Sequence, residues 1–376
     1  MKIAFYCPNK ALSHPHPSGD LVIALGIRKS LESQGHLCLE VVPFRSRWFW
    51  SRLRGWWEAL SALIAAHGAC QTFRPDIWLT YHTYYKSPDI IGPCLSRILR
   101  IPYVIFQPMY ATRRRKNTRT KWGFLLNRWA IRSANHLFIN NIHDLAAMER
   151  IADSWRITYL PPGIFPEDFK RYETLGLKVR NCLGIPLDIP LVMTACRFRP
   201  GVKVESLAYL FKSLGMLKES SERFTLLVVG DGPAGEEVRA MAKHRIGGGC
   251  VFAGGVPREE MARYYSAADV FAFPGIGESL GMVYLEAQAC GLPVVALDTA
   301  GVPQVVRDGE TGLLAAKDGG EAMALAVRRL LQDSRLRSRM GLRGMDYVLR
   351  ERNLHKNYGK LSESLEAIRG DHLKTL

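Results

Sequence analysis

Residues 270–287 read VFAFPGIGESLGMVYLEA, and this segment is the most informative one about the fold. The apolar run at 270–273 predicts a buried strand, a glycine-rich turn follows it, and apolar spacing from Leu280 onward predicts a helix. The amide groups at a helix start have no partner within the helix and bind anions, and Gly281 allows an anion to approach closely. The segment therefore predicts an anion site at the carboxyl end of a parallel strand.

Two carboxylates accompany this predicted site. Glu278 precedes the helix and Glu286 lies about two turns into it, so both side chains can face the cleft beyond the strand ends. A carboxylate in such a cleft accepts hydrogen bonds from the hydroxyl groups of a ribose or a hexose. An ordinary strand, turn and helix with two surface glutamates would have the same spacing, and the spacing alone leaves both interpretations open.

Short apolar runs alternate with helical patterns along the whole chain, which predicts parallel βαβ units with helices on both faces of each sheet. The predicted strands are 3–7, 37–42, 77–81, 103–106, 136–139, 157–160, 191–195, 225–229, 250–253, 270–273, 293–296 and 312–315. A length of 376 residues suits two domains. The alternation of strands and helices is interrupted at 161–168, so we predict domains 1–170 and 171–376. We also expect the last helix, about 354–376, to pack back on the first domain.

Charge and cysteine usage limit the partners and the compartment. The net charge of +16 (51 basic against 35 acidic residues) favours an anionic partner, whether nucleic acid, phosphorylated substrate or acidic membrane. The eight cysteines are scattered without a metal-ligand spacing, which favours a reducing compartment and no metal site. The sequence shows neither a signal-peptide pattern nor a membrane-spanning run. We therefore expect a cytoplasmic protein and leave open a peripheral position on the inner face of the membrane.

The pair Glu278-x7-Glu286, within GESLGMVYLEAQACGLPVV at 277–295, resembles the hallmark of retaining glycosyltransferases of the GT-B fold, glycosyltransferase family 4. Segments at 229–233, 251–254, 301–303 and 308–314 are similar to the same family, so the resemblance covers nearly all of 190–330. It implies an α/β protein with two Rossmann-like domains facing across a cleft. It also implies a transferase that uses a nucleotide-diphosphate sugar, with no metal and no other cofactor.

The resemblance assigns the donor site largely to the second domain. Glu286 would hold the nucleotide ribose, Glu278 the hydroxyl groups of the donor sugar. The turn at 279–282 would lie against the sugar and diphosphate, the loop after the ninth strand would border the base, and a glycine of the first domain would approach the phosphates. The residues implied in these roles are Gly19, Gly254, Val256, Ser279, Leu280, Gly281 and Met282.

Arg197 and Lys203 lie on the loop that follows the strand at 191–195. Two cations at a strand end suit a diphosphate whose negative charge grows as it departs, because the arginine fork holds two oxygens and lysine adds a point charge. A basic loop taken alone is more often only solvated. In the family pattern these residues fill the diphosphate role, so together with Glu278 they form the predicted catalytic set.

The chain departs from the family pattern at Gln107, where members commonly have a histidine after the fourth strand. Glutamine can donate and accept hydrogen bonds, but unlike histidine it cannot gain or lose a proton near neutral pH. His82, at the end of the third strand, is a second candidate for the acceptor side, although a plain structural role is the more common one for such a residue. Two alternatives to a transferase stay open. A nucleotide-sugar 2-epimerase has the same fold, although the Glu278-x7-Glu286 segment argues against it, and Gln107 favours a non-catalytic member that binds the nucleotide sugar.

Two stretches of the first domain combine basic and aromatic residues: Arg45–Trp57 and Arg113–Trp122. Such mixtures suit the headgroup layer of an anionic membrane. We therefore expect a glycan or lipid-linked acceptor, used in cell-surface polysaccharide or glycolipid synthesis. The alternative is that the tryptophans are core and the arginines solvated. We do not expect a nucleic-acid partner, because no recognised nucleic-acid module is present.

Overall fold

The computed structural model describes residues 1–13, 19–279 and 281–375. It divides the chain into two compact units, one formed by Met1–Pro161 with His355–Leu376 and the other by Pro162–Leu354. The division falls earlier than the predicted boundary near residue 170. The physical reason is that Ile164 and Phe169, each 1% exposed, are buried in the hydrophobic core of the second unit.

The first unit contains a six-stranded parallel sheet in the order β2-β1-β3-β4-β5-β6. Its four inner strands are almost entirely buried, which is why their sequences are unbroken apolar runs, whereas the two edge strands are partly exposed. The strands are β1 Lys2–Tyr6, β2 Leu37–Glu40, β3 Ile77–Tyr81, β4 Tyr103–Phe106, β5 His136–Ile139 and β6 Ile157–Tyr159. The helices are α1 Gly19–Ser33, α2 Leu53–Phe73, α3 Ile91–Leu99, α4 Thr118–Ser133, α5 Ile142–Met148 and the C-terminal helix Leu354–Thr375.

The C-terminal helix packs on the first unit, as the sequence predicts. Its buried side chains Tyr358, Leu361 and Leu365 are at most 3% exposed. Polar contacts join it to four separate segments of this unit: His36 Nε2 with Ser362 Oγ at 2.6 Å, Asp76 Oδ1 with Arg369 at 2.9 Å, the Pro161 carbonyl with Asn357 Nδ2 at 2.8 Å, and the Arg100 carbonyl with His372 Nε2 at 3.2 Å.

A buried carboxylate fastens α3 to the first sheet. Asp89 is fully buried, and its Oδ2 accepts hydrogen bonds from the hydroxyls of Thr80 at 2.5 Å and Tyr103 at 2.8 Å. Its Oδ1 accepts from the amides of Ile91 at 2.9 Å and Gly92 at 2.8 Å, which are two of the otherwise unpaired donors at the start of α3. Burial raises the pKa of Asp89, and the four hydrogen bonds act in the opposite direction.

The second unit repeats the architecture with the strand order β12-β11-β10-β7-β8-β9. Its strands are β7 Leu191–Ala195, β8 Thr225–Val229, β9 Cys250–Gly254, β10 Val270–Ala272, β11 Val294–Leu297 and β12 Gly312–Ala315. Its helices are α6 Glu173–Cys182, α7 Val202–Glu219, α8 Gly235–Ile246, α9 Met261–Ala267, α10 Met282–Ala289, α11 Glu321–Gln332 and α12 Ser334–Glu351. All twelve predicted strands are therefore present.

Helix α10 begins at Met282, two residues later than the sequence predicts. Gly281 precedes it with a φ of +63°, a left-handed conformation that cannot continue a right-handed helix. A Cβ atom at Gly281 would also lie 2.7 Å from the ring of Tyr284. Within the three described ranges, no helix combines the length and the apolarity needed to cross a bilayer.

Candidate active site

A cavity of about 440 Å³ opens at the carboxyl edge of the second sheet, where β7 and β8 end. Ligands of parallel α/β sheets bind at this edge because the loops and helix starts converge there. The wall consists of Ala195, Cys196, Arg197, Val229, Gly230, Asp231, Gly232, Gly255, Val256, Met261, Tyr265, Val283 and Glu286. Three of the predicted donor-site residues, Arg197, Val256 and Glu286, thus share one cavity, and Gly254 directly precedes its wall residue Gly255.

Two glycines allow the loops after β7 and β8 to pack closely beneath this cavity. A Cβ atom at Gly230 would lie 1.9 Å from the carbonyl oxygen of Cys196, and one at Gly232 would lie 2.5 Å from that of Phe198. The amide of Gly230 donates to the carbonyl of Gly254 at 2.8 Å, which ties the β8 loop to the end of β9. Backbone packing that only glycine permits therefore shapes the floor of the site.

Glu286 is the buried carboxylate of the cavity wall, with 5% exposure. Its Oε2 accepts a hydrogen bond from the hydroxyl of Tyr265 at 3.0 Å, and its Oε1 forms an ion pair with Arg258. Burial raises the pKa of Tyr265 well above its usual value, and the neighbouring Glu286 charge raises it further. Each carboxylate oxygen keeps acceptor capacity beyond these bonds, which suits the two adjacent hydroxyls of a ribose.

Lys203 and Glu278 form an ion pair between Nζ and Oε2; neither residue is part of the cavity wall, but both are close to the wall residue Cys196. The Lys203 ammonium also lies 5.1 Å from the ring centroid of Phe273, a cation–π contact at the end of the β10 region. The pair acts on Cys196 of the cavity wall: burial raises the pKa of that thiol to about 12, with Lys203 lowering it and Glu278 raising it. Cys196 therefore stays a protonated thiol and is not a nucleophile at neutral pH.

The glycine-rich turn before α10 depends on left-handed backbone at Gly275 and Gly277, with φ of +73° and +68°. A Cβ atom at Gly275 would lie 2.2 Å from the hydroxyl of Tyr284, so the turn packs directly on α10. The Glu278 carbonyl accepts from the Gly301 amide at 2.8 Å, which holds the turn from outside. Ser279 is exposed here, whereas the predicted contact residue Leu280 lies outside the described residues.

In the first unit, the structure brings together the two predicted acceptor-side residues, His82 and Gln107. They follow β3 and β4 with φ of +60° and +57°, left-handed values that are uncommon for residues other than glycine and that recur at functional sites. Their amides donate to the next strand, His82 to Phe106 at 2.8 Å and Gln107 to Phe138 at 2.7 Å. Gly19, the other predicted residue of this unit, is the first residue of α1.

Hydrogen bonds fix the orientation of both acceptor-side side chains. Nδ1 of His82 donates to the Gln107 carbonyl at 3.2 Å, so Nε2 is the ring nitrogen that can contact a ligand. The Gln107 Oε1 accepts from the Tyr81 hydroxyl at 3.0 Å and from Asn140 Nδ2 at 3.2 Å. Asp144 of α5 is close to His82: burial raises the pKa of its carboxyl, and His82 lowers it.

Sequence reasoning missed Arg258 and Tyr265, the two partners of Glu286. Tyr265 lies in the apolar pattern of α9, where a tyrosine reads as a core residue. Arg258 follows Val256 by two positions in the loop after β9. The sequence signal that points to Arg258 is its position in this loop, which is expected to border the base. Their relation to Glu286, 21 and 28 residues away, is a product of the tertiary structure.

Comparison with known proteins gives two kinds of similarity. Residues 189–333 match the family described as glycosyl transferases group 1. The D-inositol 3-phosphate glycosyltransferase of Corynebacterium glutamicum (strain R) is 33% identical over 306 residues, which cover 76% of this chain and 72% of that protein. Sucrose-phosphate synthase from Thermosynechococcus elongatus has a similar fold, with a TM-score of 0.75 at 20% identity over 98% of this chain and 99% of that one.

A further relative is the GDP-mannose-dependent alpha-(1-6)-phosphatidylinositol monomannoside mannosyltransferase of Mycolicibacterium smegmatis (strain ATCC 700084 / mc(2)155). It is 34% identical over 221 residues, which are 57% of this chain and 57% of that protein. The chain thus spans less than two thirds of the length of this relative.

Proposed function

The chain belongs to the glycosyl transferases group 1 family, and from this membership we propose that it is a retaining, metal-independent hexosyltransferase. It moves a hexose or an N-acetylhexosamine from a nucleotide-diphosphate sugar to a glycan or lipid-linked acceptor in cell-surface polysaccharide or glycolipid synthesis. The observation that carries the proposal is Glu286, a buried and paired carboxylate on the wall of a cavity that Arg197 also lines. That combination suits a ribose diol beside a diphosphate.

The proposed donor roles follow the chemistry of each group. Glu286 accepts from the ribose hydroxyls, and the loop at Gly254 and Val256 borders the base. Arg197 and Lys203 bind the diphosphate, to which the amides at the start of α10 also donate. Glu278 accepts from the hydroxyls of the sugar.

In the proposed reaction, the bond between the sugar C1 and the β-phosphate oxygen breaks, and the acceptor oxygen forms a new bond to C1 on the same face. The acceptor proton passes to the departing phosphate oxygen, so no side chain has to remove it. Lys203 and Arg197 stabilise the negative charge that grows on the diphosphate. Gln107 and Nε2 of His82 orient the acceptor hydroxyl through hydrogen bonds.

The proposal is tested by thermal unfolding with UDP-, GDP- and ADP-sugars in the presence of EDTA. We expect one base class to raise Tm by about 5–10 °C at about a hundredfold excess over Kd. The Glu286→Gln protein should lose this shift, because an amide replaces one of the two acceptor oxygens. Product analysis then separates transfer from epimerisation, which yields a free monosaccharide or an epimeric nucleotide sugar. Stabilisation by none of the donors would contradict the proposal.

We further propose that the first unit binds an anionic membrane surface, where a lipid-linked acceptor resides. The stretches Arg45–Trp57 and Arg113–Trp122 are distant in sequence but contact each other. The ring of Trp50 packs against α4, since a Cβ atom at Gly123 would lie 2.4 Å from it, and the Arg119 guanidinium lies 5.8 Å from the ring centroid of Trp48. The two basic aromatic stretches therefore form one surface, which we term the basic aromatic face.

Helix α2 extends this face with an apolar stripe. The exposed side chains of the stripe are Leu53 at 87%, Trp56 at 48%, Trp57 at 70%, Leu60 at 47% and Ile64 at 66%. Spacings of three and four residues place them on one side of the helix. Trp122 of α4 is 66% exposed as well. The alternative that the aromatics are core holds for Phe49, at 1% exposure, but not for these residues.

The membrane proposal predicts flotation of the protein with phosphatidylglycerol vesicles but not with phosphatidylcholine vesicles, since each surface cation contributes about 1 kcal/mol only near anionic lipid. The double substitution Trp57→Ser and Ile64→Ser should weaken binding about tenfold or more, because two apolar side chains no longer enter the headgroup layer. Trp155→Ser is the matched control, since Trp155 is 76% exposed in the same unit but outside the basic aromatic face. Equal binding to both vesicles would contradict the proposal.

A further inference from the structure

Arg258 forms an ion pair with the ribose-binding candidate Glu286 but has no part in the donor roles described above. We propose that Arg258 is a positioning residue that orients the Glu286 carboxylate, and that the cavity thereby selects ribonucleoside diphosphates over their 2′-deoxy counterparts. This inference rests on the proposed function, because it concerns the pocket that holds the nucleotide.

Arg258, Glu286, Tyr265 and Phe169 form a closed network of contacts. Its guanidinium lies 4.8 Å from the ring centroid of Phe169, and it pairs with Oε1 of Glu286. The other oxygen, Oε2, accepts from Tyr265 at 3.0 Å, and Tyr265 packs edge-on against Phe169 with centroids 6.1 Å apart. Tyr265 and Phe169 are buried. Arg258 and Tyr265 therefore hold the carboxylate, Phe169 packs against both of them, and Arg258 supplies the positive charge.

The contacts with Arg258 and Tyr265 determine which acceptor sites of Glu286 remain for a ligand. An ionised carboxylate has two oxygens with about four lone-pair sites in total. Tyr265 occupies one site on Oε2 and Arg258 occupies one on Oε1. One site on each oxygen is left, and adjacent hydroxyls such as the 2′ and 3′ groups of a ribose match that arrangement. Without Arg258 the carboxylate would keep a single anchor and could rotate away from the bidentate orientation.

A second arginine of the same unit shows what a purely structural role looks like. Arg180 has a side chain only 8% exposed and pairs with Asp269 at 2.6 Å. It also donates to three backbone carbonyls, those of Pro186, Ile189 and Ala267. Arg258 differs on both counts: its side chain is 38% exposed, and its acceptor among the described residues is a carboxylate on the wall of the cavity.

The test measures Kd by isothermal titration for whichever of UDP, GDP and ADP binds the wild type best, and for its 2′-deoxy analogue. We expect the wild type to prefer the ribonucleotide about tenfold or more, since the 2′-hydroxyl donates to a charged acceptor. In Arg258→Ala this preference should fall below about threefold, and in Arg258→Lys it should be partly restored, because the charge returns without the planar fork. In the Glu286→Gln background, Arg258→Ala should cause no additional loss of preference.

Arg263→Ala is the matched control, because Arg263 lies on the adjacent helix, is 49% exposed and pairs with Glu260 instead of Glu286. It should keep the wild-type preference. A structural defect would weaken ribonucleotide and deoxyribonucleotide binding equally, so an unchanged ratio in Arg258→Ala and Arg258→Lys would overturn this inference while nucleotide binding itself stands. If the wild type bound none of the three nucleotides, the proposed function would fail and this inference with it.

Discussion

The Lys203→Ala protein is expected to transfer sugar about a thousandfold more slowly than the wild type. Lys203 lies at the start of α7 and pairs with Glu278, so its removal takes away a cation proposed to stabilise the departing diphosphate. It also leaves a carboxylate, whose side chain is 19% exposed, without its counter-charge next to that diphosphate. Both effects act on charge that develops in the transition state, so kcat should fall more than the apparent affinity for the donor.

The measurement is steady-state release of nucleoside diphosphate, with Tm recorded to verify folding. Arg199→Ala serves as the control, because Arg199 is an exposed cation on the loop before α7, four residues before Lys203, which the structure places in the first turn of α7 and not on the predicted loop. It should stay within about twofold of the wild type, as exposed charges away from the reacting centre contribute little. Turnover close to the wild-type rate in Lys203→Ala would exclude this lysine from the chemistry.

Replacing Asp89 by alanine should lower the free energy of unfolding of the first unit by about 3–5 kcal/mol. The substitution leaves four donors without their acceptor in a fully buried place: the hydroxyls of Thr80 and Tyr103 and the amides of Ile91 and Gly92. Tm measured by calorimetry should fall by roughly 10 °C or more.

The Asp89→Asn protein separates hydrogen bonding from packing. Its amide oxygen can still accept from the two backbone groups, and its NH2 can donate to the two hydroxyls, which are able to rotate. We therefore expect it to keep most of the stability that Asp89→Ala loses. Equal destabilisation by both substitutions would show that the negative charge, and not the hydrogen bonds, is what α3 requires.

The inner strands of both sheets could be predicted from sequence because buried parallel strands are apolar along their whole length. Runs such as Ile77–Tyr81 and Thr225–Val229 match the structure residue for residue. The same rule fails at the start of α10, where backbone conformation at Gly281 and not apolarity decides the boundary. Near residue 170 the strand pattern gives no guide to the division of the chain, since Phe169 belongs to the second core through contacts that no local pattern reveals.

Chemistry and spacing select Glu286 and Arg197 as candidate residues from the sequence, and the structure places both on the wall of one cavity. The ion pairs of the site could not be predicted, because Lys203 and Glu278 are 75 positions apart in the sequence and Arg258 and Glu286 are 28 positions apart. The left-handed backbone at His82 was equally hidden, since its φ of +60° follows from the strand-end geometry and not from residue type.

The placement of the C-terminal helix has a consequence for the order in which the protein can be made. The second unit is one continuous segment, Pro162–Leu354, whereas the first unit needs His355–Leu376 to cover its core. A ribosome releases the chain from the N-terminus, and domains generally fold as units during synthesis. The first unit is therefore the last to complete its fold. Until the second unit has been translated, the surface of Met1–Pro161 that contacts Leu361 and Leu365 stays uncovered.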